Sequence, residues 1–189
     1  VTGVSVGGLP DGIVDTDMLA ANAVTAAKAS GSAKGITMAQ QWRQTTNASN
    51  PSTITSNWEV NDNSAYGSLG SGMSESSGVF TFPSTGIYYI AVDQTFHVTS
   101  GGEDRRCEIH IQTTTNNSSY EDIAIGYANL GVGSSTTFGT ASCAAFVDIT
   151  DTSNRKVKFT ASVNNSSTAL TGTSGYNEGS YVFIRLGDT

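Results

Sequence analysis

The residues of this 189-residue sequence that are best suited to catalysis are its two histidines. His97 and His110 both fall in alternating runs that predict strands, and Glu108 precedes His110 by two residues, so these two share a face. A carboxylate beside an imidazole is a common arrangement in acid–base catalysis. Neither histidine has a nearby Ser in a G-x-S-x-G elbow. We therefore interpret Glu108 and His110 as a solvated strand face, and we expect no catalytic residues and no enzymatic activity.

Other oxygen-rich groups are adjacent in the sequence. Glu103 and Asp104, and likewise Glu121 and Asp122, fall in predicted turns. Glycoside hydrolysis needs two carboxylates about 5 to 10 Å apart in a cleft, which neighbours in a turn do not provide. Segment 61–64 and the Glu103–Asp104 pair have the ligand chemistry that Ca²⁺ prefers. Since the spacing of an EF-hand is absent, we interpret them as turns and expect no cofactor or metal.

Two cysteines, Cys107 and Cys143, complete the set of reactive side chains. They have neither CxxC spacing nor a His at the spacing of a zinc site. Each lies in an apolar alternating run, which favours two buried thiols because free Cys is among the most buried residue types. The alternative is a disulfide between them.

The composition indicates an all-β domain with many turns. Only 13% of residues are charged, glycine occurs 21 times, and the formal net charge is −7. This negative charge argues against nucleic acid or an anionic membrane as a partner. No stretch approaches the roughly 20 apolar residues of a membrane-spanning helix. The length suits one domain with a short appendage.

The element that positions these residues is the stretch 78–98. A short strand is followed by a corner, because Pro83 cannot donate to a ladder and Gly86 tolerates positive φ. A long strand then begins, and alternation predicts that its even positions face the core. These positions are Tyr88, Ile90, Val92, Phe96 and Val98.

Further alternating runs follow at short spacing and predict an antiparallel β-sandwich of eight or more strands. The residues expected to face inward are Cys107, Ile109 and Ile111, then Ile123, Ile125 and Tyr127, then Ala141, Cys143, Ala145, Val147 and Ile149, and finally Val157, Phe159, Ala161 and Val163. Segments 61–77 and 164–179 are polar and predict loops.

The final strand is apolar on both faces, so it is either central in a thick core or covered on one face by another subunit, and the second alternative is favoured. One face carries Tyr181 and Phe183, and the other carries Val182, Ile184 and Leu186. The off-core face of the long strand is apolar as well. The predicted trimer interface consists of Ile87, Tyr89, Ala91, Tyr181 and Phe183.

The sequence GVFTFPSTGIYYIAVDQTFHV resembles the hallmark of C1q/TNF-like jelly-roll domains, in which a Gly-x-Phe-x-x-Pro corner precedes a Gly-x-Tyr-x-Phe-like strand. The matching positions are Gly78, Phe80, Pro83, Gly86 and Tyr88 or Tyr89, whereas Ile90 stands where the family usually has Phe. The closing GSYVFIRLGD is similar to the family's Ser-x-Phe-x-Gly-x-Leu pattern, with Phe183 and Ile184 replacing its Gly-containing middle. The resemblance covers residues 36–188. It implies a jelly roll of about ten strands that trimerises through the sheet bearing the first, third and last long strands.

Residues 1–35 differ from the rest because they contain no aromatic residue. Asp15 or Thr16 could cap a helix over 17–28, and the alternative is a flexible linker. Segment 15–28 resembles the T-x-x-L-x-x-x-A-V-T-x-x-K repeats of bacteriophage tail fibres. We therefore expect two parts, a helical or extended stalk over 1–35 and a C1q/TNF-like head over 36–189. The chain opens on Val1, which predicts processing or a longer parent protein.

Recognition is expected in loops, as is usual on a rigid sandwich. If both ends of the head lie near the stalk, the loops 99–104, 131–135 and 164–179 collect at the far end, and the turns 114–119 and 151–155 lie at the stalk end. Candidate receptor-binding residues are Glu103, Asp104, Leu170, Tyr176, Asn177 and Glu178.

Together these patterns predict a non-enzymatic virion structural protein, a trimeric phage fibre tip or adhesin that contacts a host surface receptor or glycan. Its expected location is the virion surface, with other virion proteins bound through the N-terminal segment. The alternatives are a capsid decoration or capsid-fibre protein and a polysaccharide depolymerase fragment.

Overall fold

The computed structural model describes residues 35–49 and 51–189, and within them the chain is all-β. The predicted stalk lies outside the described residues except for Gly35, so its helical and linker alternatives stay predictions. Described residues include no helix long and apolar enough to cross a membrane. The strands are β1 (Met38–Gln44), β2 (Ala48–Ser49), β3 (Trp58–Val60), β4 (Ser74–Ser76), β5 (Val79–Thr81), β6 (Gly86–Val98), β7 (Asp104–Thr114), β8 (Glu121–Leu130), β9 (Thr137–Ile149), β10 (Lys156–Ser162), β11 (Ala169–Leu170) and β12 (Gly179–Gly187).

The strands form two antiparallel sheets that pack face to face. In sheet I, β6 pairs along its whole length with β9 on one side, and on the other side it pairs first with β12 and then, nearer its C-terminal end, with β11. Strands β1 and β3 continue this sheet beyond β12, and β2 pairs with β11. Sheet II has the order β4-β5-β10-β7-β8. The predicted antiparallel sandwich is confirmed, with β6 as the strand on which sheet I is built.

The core lies between the sheets, and alternation predicted the contribution of β6 correctly. All five even positions named above are at most 1% exposed. The Tyr88 hydroxyl lies at the corner and donates to the Ser84 carbonyl at 2.9 Å, so a buried polar atom is satisfied. Aromatic rings from both sheets meet in the middle, where the centroids of Phe80 and Phe183 lie 5.3 Å apart.

The predicted corner before β6 is also confirmed. Gly86 has a φ of 142°, a conformation that side-chain-bearing residues rarely adopt. A Cβ at this position would lie 2.4 Å from the Gly187 carbonyl oxygen. Glycine therefore allows the start of β6 to lie against the end of β12.

Strand β8 faces opposite to the prediction. Ile123, Ile125 and Tyr127 are exposed, whereas Gly126 and Leu130 are buried. The reason is space, since a Cβ on Gly126 would come within 2.4 Å of the Ser142 carbonyl oxygen of β9. Two sheet edges approach here, and only the small-residue face of β8 fits between them.

The two predicted long loops each contain strand structure. Segment 61–77 includes β4, which pairs with β5, and segment 164–179 includes β11, which pairs with β6. Their sequences are too short and too polar for the alternation signal to appear. Pairing with neighbours, rather than local pattern, makes these residues strands.

The sandwich has two distinct ends. Met38 of β1 pairs with Arg185 of β12, so the start and the end of the jelly roll meet at one end, called the base here. At the opposite end, the apex, the Gly101 amide donates to the Gly133 carbonyl at 2.9 Å. The predicted grouping of loops is thereby confirmed, and the turns 114–119 and 151–155 meet each other through a 2.9 Å hydrogen bond between Asn117 and Asn154.

Candidate binding and assembly surfaces

The outer face of sheet I, turned away from the core, is mostly apolar in its basal half, where Asp148 beside Ile87 is the charged exception among the β6–β9 pairs. Tyr89 of β6 pairs with Phe146 of β9 on one side and Ile184 of β12 on the other. The rings of Tyr89 and Phe146 lie 5.4 Å apart, and Phe146 is 70% exposed. We call this surface the apolar patch. It consists of Ile87, Tyr89, Ala91, Ala144, Phe146, Val182 and Ile184.

Toward the apex the same face becomes polar. Asp93 pairs with Ser142 on β9 and with Ser180 on β12. The next pair toward the apex, Thr95 and Thr140, shares a hydroxyl–hydroxyl bond of 2.8 Å. This polar band bounds the apolar patch, so the outer face has two regions of different chemistry.

Two of the predicted interface residues do not belong to this face. Tyr181 and Phe183 are both fully buried in the core of the sandwich. The Tyr181 hydroxyl donates to Gln94 Oε1 at 2.7 Å, and the Phe183 ring packs against Phe80. The prediction chose the wrong face of β12, because both faces are apolar and alternation alone does not say which one is turned inward. Ile87, Tyr89 and Ala91 do lie on the outer face.

A second apolar surface, absent from the sequence prediction, follows β8 at the edge of sheet II. Ile123, Ile125 and Tyr127 are 36%, 38% and 59% exposed. Strand β8 pairs with β7 alone within sheet II, so this β8 stripe lies at an open edge of the sheet. The alternation of apolar residues along β8, from which an inward-facing set was predicted, is the sequence signal for this exposed stripe.

At the apex, Asp104 is a buried structural residue rather than a contact residue, which corrects the prediction for it. Asp104 is 1% exposed, and its carboxylate accepts hydrogen bonds from the Asn164 and Asn165 amides at 3.1 and 2.9 Å. The Thr168 hydroxyl donates to the same carboxylate at 2.8 Å. Asp104 therefore ties the start of β7 to the loop after β10.

The remaining predicted contact residues divide between surface and core. Leu170 is fully buried on β11, so its assignment to a receptor surface is wrong. Tyr176 is 61% exposed, and Glu103 is exposed beside Arg105. Asn177 and Glu178 are half-buried. Exposed apical residues are thus confined to loop tips, while residues 168–171 hold the loop to the sandwich.

A groove opens where the outer face of sheet I reaches the apex. Its volume is about 270 Å³. His97 and Phe138, which are paired across β6 and β9, form its floor with ring centroids 5.8 Å apart. Asn47 and Glu178 also line the groove. We call this feature the apical groove.

The predicted Glu108 and His110 face exists, but Glu108 is not solvated. It is only 4% exposed, and Arg106 contacts it at 2.6 Å. This contact raises the pKa of Arg106 through a hydrogen bond and the opposite charge. His110 lies 3.5 Å from Glu108 and 3.1 Å from Asp122, which β8 supplies. Among the described residues, no three His, Cys, Asp or Glu side chains are arranged to hold a metal ion.

Both cysteines are free thiols, as predicted, although Cys143 is only half-buried. Burial raises the pKa of Cys107 to about 12, and the Asp104 carboxylate adds to the effect. Burial likewise raises the pKa of Cys143 to about 11. Neither thiol has the depressed pKa of a nucleophile.

Comparison with solved structures places this architecture among known folds. Murine APRIL, in a crystal structure at pH 5.0, superposes with a TM-score of 0.54 at 12% identity, covering 79% of this chain and 98% of that one. Eiger TNF from S. frugiperda gives a TM-score of 0.57 at 10% identity, covering 82% and 95%. The described chain is a TNF-like jelly roll. No protein-family model and no curated protein matches the sequence.

The likeness confirms the jelly-roll fold that the motif around the Pro83 corner predicts. At 12% and 10% identity it concerns the fold alone. What the jelly roll binds must be argued from the surfaces described above.

Proposed function

We propose that this chain is a non-enzymatic, homotrimeric virion protein, a fibre tip or adhesin whose apical loops contact a host surface receptor or glycan. The observation that carries the proposal is the apex itself. Loops from three connections meet there, and hydrogen bonds such as that from Asn165 Nδ2 to the Glu103 carbonyl, 3.0 Å, tie them together. Rigid scaffolds that present short polar loops with an exposed Tyr are well suited to recognition.

The position of the apex supports the same role. Because both ends of the described jelly roll lie at the base, attachment to a larger assembly leaves the apex free. Tyr176 and Glu103 are the exposed residues among the candidates. A place in the virion is supported by the resemblance of segment 15–28 to tail-fibre repeats. The N-terminal segment would then bind other virion proteins.

Homotrimer formation would cover the apolar surfaces of the jelly roll. An exposed Phe in register with a half-buried Tyr and Ile is unusual on a solvated sheet face and typical of interfaces. The partner we propose is a second copy of the chain, because the β8 stripe provides a complementary apolar surface. Patch against stripe is a heterologous contact, and three such contacts close into a ring.

The test is a binding comparison with the full chain. Labelled protein is incubated with host cells, empty capsids and host polysaccharide. We expect saturable binding to cells, no capsid binding and no shortening of the polymer. Capsid binding without cell binding would identify a decoration protein instead, and shortened polymer would identify a depolymerase.

Apical variants locate the contact. Tyr176→Ala and Glu103→Gln change exposed side chains and leave the buried segment 168–171 untouched, so the fold is preserved. Cell binding should weaken about tenfold or more if these residues contact the receptor. The control is Ser118→Ala, an exposed change in a basal turn. Equal binding by all three variants would contradict the apical assignment.

A further inference from the structure

The apical groove has the dimensions of a site for one small ring. Its volume is about 270 Å³, just below the range of about 300 to 1,000 Å³ that is usual for drug-sized ligands. It lies above the polar band and is separate from the apolar patch. Strands β6 and β9 form its floor, so its base is rigid.

The floor carries an aromatic ring that the chain leaves uncovered. Phe138 is 59% exposed, and one of its neighbours is the His97 ring, tilted by 40°. A phenyl ring exposed on a strand gains little from water and offers a flat apolar surface. The apolar C–H face of a pyranose ring matches such a surface.

Polar groups surround this ring, and His97 among them lacks a partner. No hydrogen bond to its imidazole comes from the described residues, and its Nδ1 is buried. Because the buried Nδ1 is closed to the groove, Nε2 is the imidazole nitrogen that a ligand can reach. Asn47 accepts a bond from the Gly172 amide at 2.9 Å, which fixes its side chain at the rim. The hydroxyls of Thr99 and Thr136 also line the groove.

The charge of the groove restricts the ligand further. Glu178 contributes a carboxylate, and the lining residues that the structure describes include no Lys or Arg. A sialic or uronic acid would therefore meet repulsion without compensation, in a chain of net charge −7. A neutral ring rich in hydroxyls fits both the aromatic floor and the polar rim.

We propose that the apical groove binds one neutral hexopyranose or N-acetylhexosamine unit of a surface glycan, with its C–H face on Phe138 and its hydroxyls on His97, Asn47 and Glu178. This inference rests on the proposed receptor-binding function and names the ligand class and the site. It adds a sugar site at the edge of sheet I to the contact proposed at Tyr176.

The experiment uses the full-length, isotopically labelled protein and NMR titration with the methyl glycosides of glucose, galactose, mannose, N-acetylglucosamine and N-acetylgalactosamine. Methyl glycosides of sialic acid and glucuronic acid are the anionic probes. We expect saturable shifts at His97 and Phe138 with at least one neutral glycoside and none with the anionic ones. Phe138→Ala should weaken binding about tenfold or more, and His97→Ala should weaken it as well.

Val132→Ala is the control, since Val132 is 68% exposed in an apical loop and does not line the groove. It should keep wild-type sugar binding. Absence of binding by every neutral glycoside, or unchanged binding by Phe138→Ala, overturns the groove proposal. Cell binding that depends on Tyr176 but not on Phe138 would sink it while leaving the proposed receptor function intact. Cell binding that depends on neither Tyr176 nor Phe138 would contradict the proposed receptor contact as well.

Discussion

Asp104 shows how one side chain organises the apex. It accepts bonds from the Arg106 amide at 3.0 Å and from the loop amides of Asn164 and Asn165. Burial alone would raise the pKa of Asp104, but the hydrogen bonds from Asn165, Arg106 and Thr168 outweigh it and lower the pKa overall. The charged carboxylate is therefore the form that the folded apex stabilises.

Replacing Asp104 with Asn should destabilise the protein by about 1.5–3 kcal/mol at pH 7, the usual value for a hydrogen bond to a charged group. The lowered pKa means that this contribution is complete above the ordinary value of 3.8 and is lost as the pH falls through the folded-state pKa. The difference between wild type and variant should therefore shrink in strongly acidic solution. Urea unfolding followed by circular dichroism at neutral and acidic pH measures it.

Glu103→Gln serves as the control, because Glu103 is the exposed neighbour of Asp104. Its free energy of unfolding should stay within about 0.5 kcal/mol of wild type. An Asp104→Asn protein as stable as wild type at pH 7 would show that the apical hydrogen bonds contribute nothing net.

The two thiols make a second prediction at this scale. Because folding raises the pKa of Cys107 to about 12 and that of Cys143 to about 11, both stay protonated when unfolded thiols of pKa 9.0 already ionise. The unfolded chain then binds fewer protons, so stability should fall as the pH rises above 9.0 toward the folded values. Both thiols should resist a disulfide reagent at pH 8 and react once urea is added. Rapid reaction of Cys107 in the native protein would contradict its burial, and rapid reaction of Cys143 would contradict its raised pKa.

The local sequence pattern predicts the position of some of these buried residues but not of others. Tyr88 and Ile90 could be assigned to the core because a strand alternates with period two. The fully buried Arg43 could not, since its partners Glu59 and Asp62, at 2.8 and 2.6 Å, come from a later segment that reaches it only through the pairing of β1 with β3. Asp104 was missed for the same reason, because its acceptor role depends on Asn164 and Asn165 far along the chain.

In strand β12, consecutive residues have different roles. Phe183 packs in the core of the protomer, and Ile184 lies in the proposed interface between protomers. Phe183→Ala should cost about 3–5 kcal/mol, because it leaves a cavity between Phe80 and Phe159. Ile184→Asp, on the outer face, should leave the protomer folded and disrupt oligomers, because it puts a charge into the apolar patch. Thermal unfolding and sedimentation velocity distinguish these results. A folded, trimeric Phe183→Ala protein of wild-type stability would contradict the placement of Phe183 in the core.

Strand β8 shows what alternation leaves open at this scale. Its period predicted the strand and grouped Ile123 with Ile125 and Tyr127 correctly, but the direction in which they face is set by β9. Where two sheet edges meet, the small face of Ala124, Gly126 and Ala128 fits inside. Size at the narrowest point of the sandwich, rather than hydrophobicity, decided the orientation.

The apical groove could not be predicted from the sequence, because the residues that line it come from separate elements. Its floor is a cross-strand pair, His97 and Phe138, whose register follows from the full pairing of β6 with β9. Asn47 precedes the short strand β2, and Glu178 precedes β12. Only the folded sheet brings these four positions together.

At the scale of the whole molecule, a closed ring of identical protomers cannot form through one contact surface alone. A heterologous trimer needs two different surfaces on each protomer, and the apolar patch and the β8 stripe are two such surfaces. Phe146→Asp damages the first and Tyr127→Asp damages the second. Each variant alone should sediment as a monomer, because a buried unpaired charge is costly.

Mixing the two variants gives a sharper outcome. The intact patch of Tyr127→Asp can bind the intact stripe of Phe146→Asp, and the other two surfaces are both damaged. The mixture should therefore form one-to-one heterodimers and no trimers, measured by native mass spectrometry. Val132→Asp, at a position 68% exposed in an apical loop, is the control and should stay trimeric. Failure of the mixture to associate would contradict a patch-to-stripe contact.

The meeting of β1 and β12 at the base has a mechanical consequence. A pull between the start of β1 and a surface held at the apex acts along the strand axes of sheet I. The ladder bonds between β1 and β12 are perpendicular to the strands, so such a force shears all of them at once instead of peeling them apart singly. A pull between the two ends at the base would unzip β1 from β12 one pair at a time. The same sheet is thus strong against tension from an anchored apex and weak against separation of its own ends.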